Sequence, residues 1–146
     1  MRDEDARLKL RAKDLQGLTL IASALQDALV PMADMRFEAE ECRFLMVVNR
    51  FHWESPRQDE RSLAGLRFDH VTNVQTRGLD ALSRDRILGL LTISHDVPEP
   101  GKQGHVVLHF SGGGAIRLTV EKLACALEDL TEPWPTPWRP DHQGNV

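Results

Sequence analysis

The chain has 146 residues, a length typical of one domain, with 41% hydrophobic residues and a net charge of −4. This acidic balance argues against general nucleic-acid binding, which needs a basic face to displace counterions from phosphates. The longest apolar run, FLMVV (44–48), is far shorter than the roughly 20 residues that cross a bilayer. We therefore expect neither nucleic acid nor membrane as a partner.

The first residues, MRDEDARLKL, lack the apolar segment of a secretory signal. Cys42 and Cys125 form no paired motif, so we interpret them as buried, reduced thiols. Both features predict a cytoplasmic protein.

The first half of the chain predicts a helix between strands. Residues 1–7 are charged and expected to be disordered, and LKLRA (8–12) alternates like a short strand. Asp14 is a candidate N-cap, and apolar residues at helical spacing then predict one long helix over 15–30, which Pro31 ends.

The remaining segments favour strands. ADMRFE (33–38) and CRFLMVVNRF (42–51) around AEE predict a hairpin whose second strand is central and covered on both faces. The alternation in 63–76 slips by one after Phe68, which indicates a bend. ILGLLTIS (87–94) predicts another strand. Residues 121–130 fit a helix or a strand, and we favour a strand with a bulge near Glu121–Lys122.

These elements predict an α+β fold: a mostly antiparallel bent sheet or partial barrel of six to seven strands, with one long N-terminal helix. We expect a single domain over 8–132 and a Pro/Trp-rich tail over 133–146. The tail PWPTPWRP either binds an aromatic-lined groove of a partner or folds back on its own domain and buries Trp134 and Trp138.

Three glycines interrupt HVVLHFSGGGAIRLTV (105–120). They lead into an alternating segment rather than a helix, so a hairpin is favoured over a phosphate loop. Matching the apolar faces places Phe110 opposite Ile116 and His109 opposite Arg117. On a strand, His105 and His109 stand about 13 Å apart, too far to share one metal ion, and we expect no metal.

The segment NRFHWE (49–54) ends the predicted central strand and is the candidate site. Arg50 could bind an anion, His52 could carry a proton and Trp53 could stack on a ring, with Arg77 as a second cation. Alternatively, Phe51 and Trp53 cap the core while Arg50 and Glu54 are solvated. No nucleophile has an activating setting, so we predict no catalytic residue and no cofactor.

The combination of NRFHWE, GGGAIRL and the upstream LQDALV resembles a small, uncharacterised proteobacterial family of unknown function, number 2948, over most of residues 8–130. The resemblance implies a bacterial protein but no activity, cofactor or catalytic residue.

We therefore expect a non-catalytic cytoplasmic binding or protein-interaction module. Its partner would be an unknown protein or a small anionic ligand, and a homodimer is a further expectation. The alternative is a small enzyme or an anionic-ligand-binding protein that uses the strand end Asn49–Glu54.

Overall fold

The structure is a computed structural model that describes residues 7–56, 58–80, 84–96 and 102–140. The expected N-terminal disorder, apart from Arg7, and the end of the tail lie outside the described residues. Within them the chain forms one α-helix and eleven strands. These are β1 (Lys9–Ala12), α1 (Leu15–Ala24), β2 (Leu29–Pro31), β3 (Met35–Glu38), β4 (Arg43–Phe51), β5 (Glu60–Phe68), β6 (Val71–Arg77), β7 (Ile87–Asp96), β8 (Gly104–Phe110), β9 (Ala115–Val120), β10 (Cys125–Asp129) and β11 (Trp134–Pro135).

All the strand pairs are antiparallel, in the order β1-β10-β5-β4-β2-β7-β8-β9-β6, with β3 on β4 and β11 on β5. The first half-sheet, as we call it, contains β1, β10, β5, β4 and β2, together with β3 and β11. The second half-sheet contains β7, β8, β9 and β6. The predicted mostly antiparallel sheet with one helix is confirmed.

Two bends carry the chain between the half-sheets. The β5–β6 bend lies at Asp69–His70, where His70 has a φ of 58°, and the β9–β10 bend lies at 121–124. The Asp69 amide donates to the Ala124 carbonyl at 2.9 Å, and the Glu121 amide donates to the His70 carbonyl at 3.0 Å. The predicted bend after Phe68 is confirmed. The strand favoured for 121–130 is confirmed for Cys125–Asp129, whereas 121–124 form the bend.

The core lies between the inner faces of the half-sheets and under α1, which packs on β1 and β7. Because side chains alternate along β4, its inner face is buried and its outer face, with Leu45 and Val47, is half-buried. β4 is central as predicted, but only its inner face is fully covered. The buried core includes Leu18, Ile21, Phe44, Met46, Val48, Leu66, Phe68, Leu108, Phe110, Ile116 and Leu118.

The expectation of six to seven strands is wrong, because four of the eleven strands have only two to four residues. The alternation of apolar and polar residues cannot identify strands this short, because they are defined by hydrogen bonds to the neighbouring strands. β11 illustrates this, since only pairing with Arg61 and Glu60 of β5 makes Trp134–Pro135 a strand.

The expectation of a long helix is also wrong, although the Asp14 cap is confirmed by a 2.8 Å hydrogen bond from the Gly17 amide. The helix ends at Ala24, and Asp27 takes a left-handed φ of 62°. Leu29–Pro31 then pair with β7 as strand β2. The apolar residues after Ala24 therefore fit a helical period by coincidence, and tertiary pairing decides their conformation.

The glycine hairpin is confirmed, but its predicted register is wrong. Leu108, not Phe110, faces Ile116, and His109 faces Ala115. The turn is shorter than expected because the Phe110 amide donates to the Gly114 carbonyl at 2.8 Å. A shift of two residues keeps every side chain on its predicted face, so the apolar pattern could not distinguish the two registers.

The tail folds back on its own domain, since β11 pairs with β5 and the Thr136 amide donates to the Asp59 carbonyl at 2.9 Å. The expected burial of its tryptophans is wrong: Trp134 is 37% exposed and Trp138 is 77% exposed.

Candidate functional site

A buried polar cluster occupies the end of β4. Arg50 follows Phe44, Met46 and Val48 on the inner face of β4 and is completely buried. Its cross-strand partner on β5 is Ser62, which is also fully buried.

Two carboxylates hold the Arg50 guanidinium. Nε donates to Asp129 Oδ1 at 2.7 Å, and one terminal nitrogen donates to Asp129 Oδ2 at 2.9 Å. The terminal nitrogens also donate to the two carboxylate oxygens of Glu54 at 3.1 and 2.8 Å. Asp129 is buried, whereas the Glu54 side chain is 51% exposed. The cluster therefore reaches solvent through Glu54.

The three charges stabilise one another. Burial alone would lower the pKa of Arg50, but the hydrogen bonds with Asp129 and Glu54 outweigh it and raise this pKa. Burial would raise the pKa of Asp129 and of Glu54, but the hydrogen bonds from Arg50 hold both below their ordinary values. All three groups are charged at neutral pH.

His52 extends the cluster through Ser62. Its Nε2 lies 2.7 Å from Ser62 Oγ, and the Ser62 hydroxyl donates to Asp129 Oδ1 at 3.3 Å. The other ring nitrogen of His52, Nδ1, lies 3.5 Å from Glu54 Oε2, so the imidazole connects Ser62 with Glu54. Burial, and then the charge of Arg50, lower the pKa of His52, so the ring is neutral at neutral pH.

Trp53 joins the strand end to the rest of the chain. Its Nε1 donates to the Gln26 carbonyl at 2.9 Å, and its ring meets Phe51 edge-on at 4.7 Å between centroids. The Arg139 guanidinium of the tail lies 5.5 Å from the Trp53 ring centre. The tail therefore covers part of the candidate site.

The structure brings Arg50, His52 and Trp53 to one strand end but places Arg77 at the end of β6 in the second half-sheet. Sequence reasoning missed Asp129 and Ser62. Asp129 lies in the segment for which we favoured a strand, and it is only 3% exposed. Alternation of Cys125, Leu127 and Asp129 along one strand could have revealed it.

This arrangement limits the chemistry of the strand end. Ser62 hydrogen-bonds a carboxylate and an imidazole, as a nucleophile would, but the hydroxyl is fully buried and a substrate contacts it only if the strand end opens. Arg50 meets an incoming anion only where Glu54 moves away. The geometry therefore allows anion exchange at Arg50 more readily than catalysis at Ser62.

A second feature is a groove of about 710 Å³ on the outer face of the first half-sheet. Gly65 of β5 has no side chain and Ala126 of β10 has only a methyl group, so the floor stays open between Leu45, Val47 and Leu130. The groove is lined by Ala33, Asp34, Met35, Arg36, Leu45, Met46, Val47, Gly65, Leu66, Arg67, Arg84, Ala126, Glu128 and Leu130.

Cations surround this apolar floor. Arg36, Arg67 and Arg84 line the groove with two acidic residues. One of these, Glu128, lies 3.5 Å from Lys9 in an ion pair. The groove lining therefore has one more positive than negative side chain, in a protein whose net charge is −4.

The structure defines a class: an antiparallel β-sheet protein with one helix, a buried ionic cluster and a cation-lined groove. The chain belongs to the family described as protein of unknown function (DUF2948), whose model matches residues 8–142. The match extends past Pro133, so the tail belongs to the family region, contrary to the shorter resemblance seen in the sequence.

No curated protein and no solved structure matches the chain. The part of the chain that the structure describes contains no helix long and apolar enough to cross a membrane. The same residues include no group of three or more His, Cys, Asp or Glu side chains placed to hold a metal ion. Both cysteines are free, and burial raises the pKa of the Cys125 thiol to about 12, whereas Cys42 is only half-buried.

Proposed function

We propose that the protein is a cytoplasmic binding module that holds an acidic, partly apolar segment of a partner protein in the groove on the first half-sheet. The observation that carries this proposal is an open apolar floor with three arginines around it. A segment with both apolar and acidic residues matches both features, because its apolar side chains can pack on the floor while its carboxylates pair with the surrounding arginines.

The size and charge of the groove support the proposal. Its volume is in the range of small-ligand pockets, so it holds a few side chains rather than a whole domain. The Arg36 side chain is 75% exposed and that of Arg67 is 40% exposed, and each is near one acidic neighbour, Glu38 and Asp69 respectively. Exposed pairs of this kind are weak, so these arginines can exchange their partners for an incoming carboxylate.

The experiment measures fluorescence anisotropy of a labelled peptide that alternates Leu and Glu, with a Leu/Ser peptide of the same length as the control. We expect the acidic peptide to bind more tightly. Gly65→Val should weaken its binding at least tenfold by filling the floor. A Cβ at Gly65 meets the Leu130 side chain at 3.7 Å, an ordinary contact, and circular dichroism of Gly65→Val checks that the fold persists with the two further methyl groups.

Charge is tested separately with Arg67→Glu, and Lys122→Glu is the control because it makes the same charge change outside the groove. Only Arg67→Glu should weaken the acidic peptide. Equal effects of the two variants, or equal binding of the two peptides, would contradict the proposal. If native mass spectrometry shows a dimer that Gly65→Val dissociates, the occupant is a second copy of this chain.

The strand end is a second candidate, as a site for a small anion. It is favoured by one observation: a fully buried Arg50 is closed off by Glu54, which is half-exposed. The carboxylate of an aromatic acid could replace that of Glu54 on the guanidinium of Arg50, and the ring of the acid could stack on Trp53. Glu54→Gln should then strengthen benzoate binding at least tenfold, measured by NMR titration, while Glu128→Gln should not. An unchanged affinity in Glu54→Gln would reject this candidate.

A further inference from the structure

A hollow of about 380 Å³ lies on the outer face of the second half-sheet, away from the strand end and the groove. Two cross-strand rows form it. In the first row, Arg77 of β6 pairs with Ala115 of β9, which pairs with His109 of β8. In the next row, Arg117 of β9 pairs with Gln75 of β6.

The centre of the hollow is small and apolar, and its rim is cationic. Ala115 contributes only a methyl group between Arg77 and His109. Adjacent strands lie 4.7–4.9 Å apart, so the Cα atoms of these two residues lie about 10 Å apart across the hollow. Arg117 is two residues further along β9 and on the same face. Three nitrogen-bearing side chains therefore surround a gap that no side chain of the described lining fills.

The hollow contains hydrogen-bond donors on cationic side chains but no acidic side chain among its described lining residues. The described residues that line it include no carboxylate. Arg117 donates from Nε and one terminal nitrogen to the neutral side-chain oxygen of Gln75, which leaves the rest of its donors for a ligand. His109 Nε2 hydrogen-bonds Ser94 Oγ at 2.8 Å, so its other ring nitrogen remains for a ligand.

Two arginines that share a hollow repel each other, because a guanidinium keeps its charge at every physiological pH. A bound anion between them removes this repulsion. Each guanidinium can donate two parallel hydrogen bonds to neighbouring oxygens of a phosphoryl group, so a tetrahedral dianion uses both arginines at once.

We propose that this hollow binds a small phosphate monoester, with its phosphoryl group above Ala115 and between Arg77, Arg117 and His109. The organic part of the ligand lies against Val107, which pairs with Arg117 and shares the outer face with Ala115. A volume of about 380 Å³ suits such a molecule, since ligand pockets are usually about 300–1,000 Å³.

The test is an NMR titration of the full chain with phenyl phosphate at constant ionic strength. We expect shifts concentrated in β6, β8 and β9. Arg77→Gln and Arg117→Gln should each weaken binding at least tenfold, while Arg11→Gln, an exposed position on β1 of the other half-sheet and outside the groove, should leave it unchanged. Equal weakening by all three variants would show general charge attraction and overturn the proposal, as would the absence of binding.

Further measurements identify the ligand class. Ala115→Val places a larger side chain in the hollow and should also weaken binding at least tenfold, with unchanged circular dichroism. Inorganic phosphate should bind at least threefold more weakly than phenyl phosphate, because it lacks the organic part. Equal affinity for inorganic phosphate, or tighter binding of a phosphoserine peptide or an oligonucleotide, would reject a small monoester as the ligand.

Discussion

At the scale of single residues, Asp129 contributes most to the stability of the strand end, because it is the buried counter-charge of Arg50. It accepts from Arg50, from the Ser62 hydroxyl and from the Leu8 amide at 2.9 Å. A buried ion pair contributes modest net stability, but removing one member leaves the other charged and unpaired. The exposed Glu54 cannot replace the lost carboxylate fully.

Asp129→Ala should therefore lower the free energy of unfolding by about 3–5 kcal/mol, as expected when a buried pair is broken. Urea denaturation followed by circular dichroism measures this. Glu128→Ala is the matched control: its ion pair with Lys9 is exposed, and the change should stay within about 0.5 kcal/mol. Similar losses in both variants would show that Asp129 is not the buried counter-charge.

His52 should make stability depend on pH. Its pKa is lowered in the folded protein, mainly by burial, whereas the unfolded chain has a pKa of about 6.5. Below pH 6.5 the unfolded chain therefore binds more protons, and the free energy of unfolding falls as the pH falls towards the folded pKa. The slope from this one group is at most about 1.4 kcal/mol per pH unit.

The variant His52→Gln keeps a side chain that can hydrogen-bond Ser62 but removes the titration. Its unfolding free energy should fall less than that of the wild type between pH 6.5 and 5. Both proteins should still lose stability near pH 4, where Asp129 and Glu54, whose folded pKa values are also lowered, bind protons in the unfolded chain first. Identical pH profiles above pH 5 would refute the role of His52.

The residues of the candidate site illustrate what a sequence can supply. Arg50, His52 and Trp53 are neighbours in the chain, so their clustering was predictable. Asp129 lies 79 positions from Arg50, and no local pattern links the two. A buried carboxylate is recognised only when the inner face of its strand is known.

At the scale of elements, the β5–β6 bend could be predicted from the sequence, whereas the end of α1 and the register of the β8–β9 hairpin could not. A slip in alternation marks the β5–β6 bend, because a strand that keeps its apolar face inwards must adjust where the sheet turns. The end of α1 and the β8–β9 register depend on pairing with distant strands and on the turn, which the apolar pattern does not encode.

A side chain in the glycine turn between β8 and β9 should destabilise the protein, because the turn needs a left-handed backbone conformation. Gly112 has a φ of 84°, and a Cβ there meets no atom within 4 Å, so any cost comes from the left-handed conformation. Gly112→Ala should lose about 1–2 kcal/mol in urea denaturation. Gly65→Ala, in the middle of β5, should lose none and could gain about 0.5–1 kcal/mol. A neutral Gly112→Ala would contradict this account of the turn.

At the scale of the whole molecule, the two ends of the chain close the first half-sheet. β1 pairs with β10, joining Lys9 to Glu128, and β11 pairs with β5. Contacts so distant in sequence form late and slowly in folding, since a long loop must close first. The two terminal strands differ in what they bury, and this difference predicts unequal effects of removing them.

Deleting residues 1–12 should destabilise the protein far more than deleting residues 133–146. The first deletion removes the buried Ala12, exposes the edge of β10 and takes from Asp129 its hydrogen bond with the Leu8 amide. The second removes a two-residue strand and two tryptophans that are 37% and 77% exposed. Thermal denaturation should show a fall in Tm of at least about 6 °C for the first and about 3 °C or less for the second. A larger loss on removing 133–146 would mean that Arg139 and the tail hold the strand end together, rather than only covering Trp53.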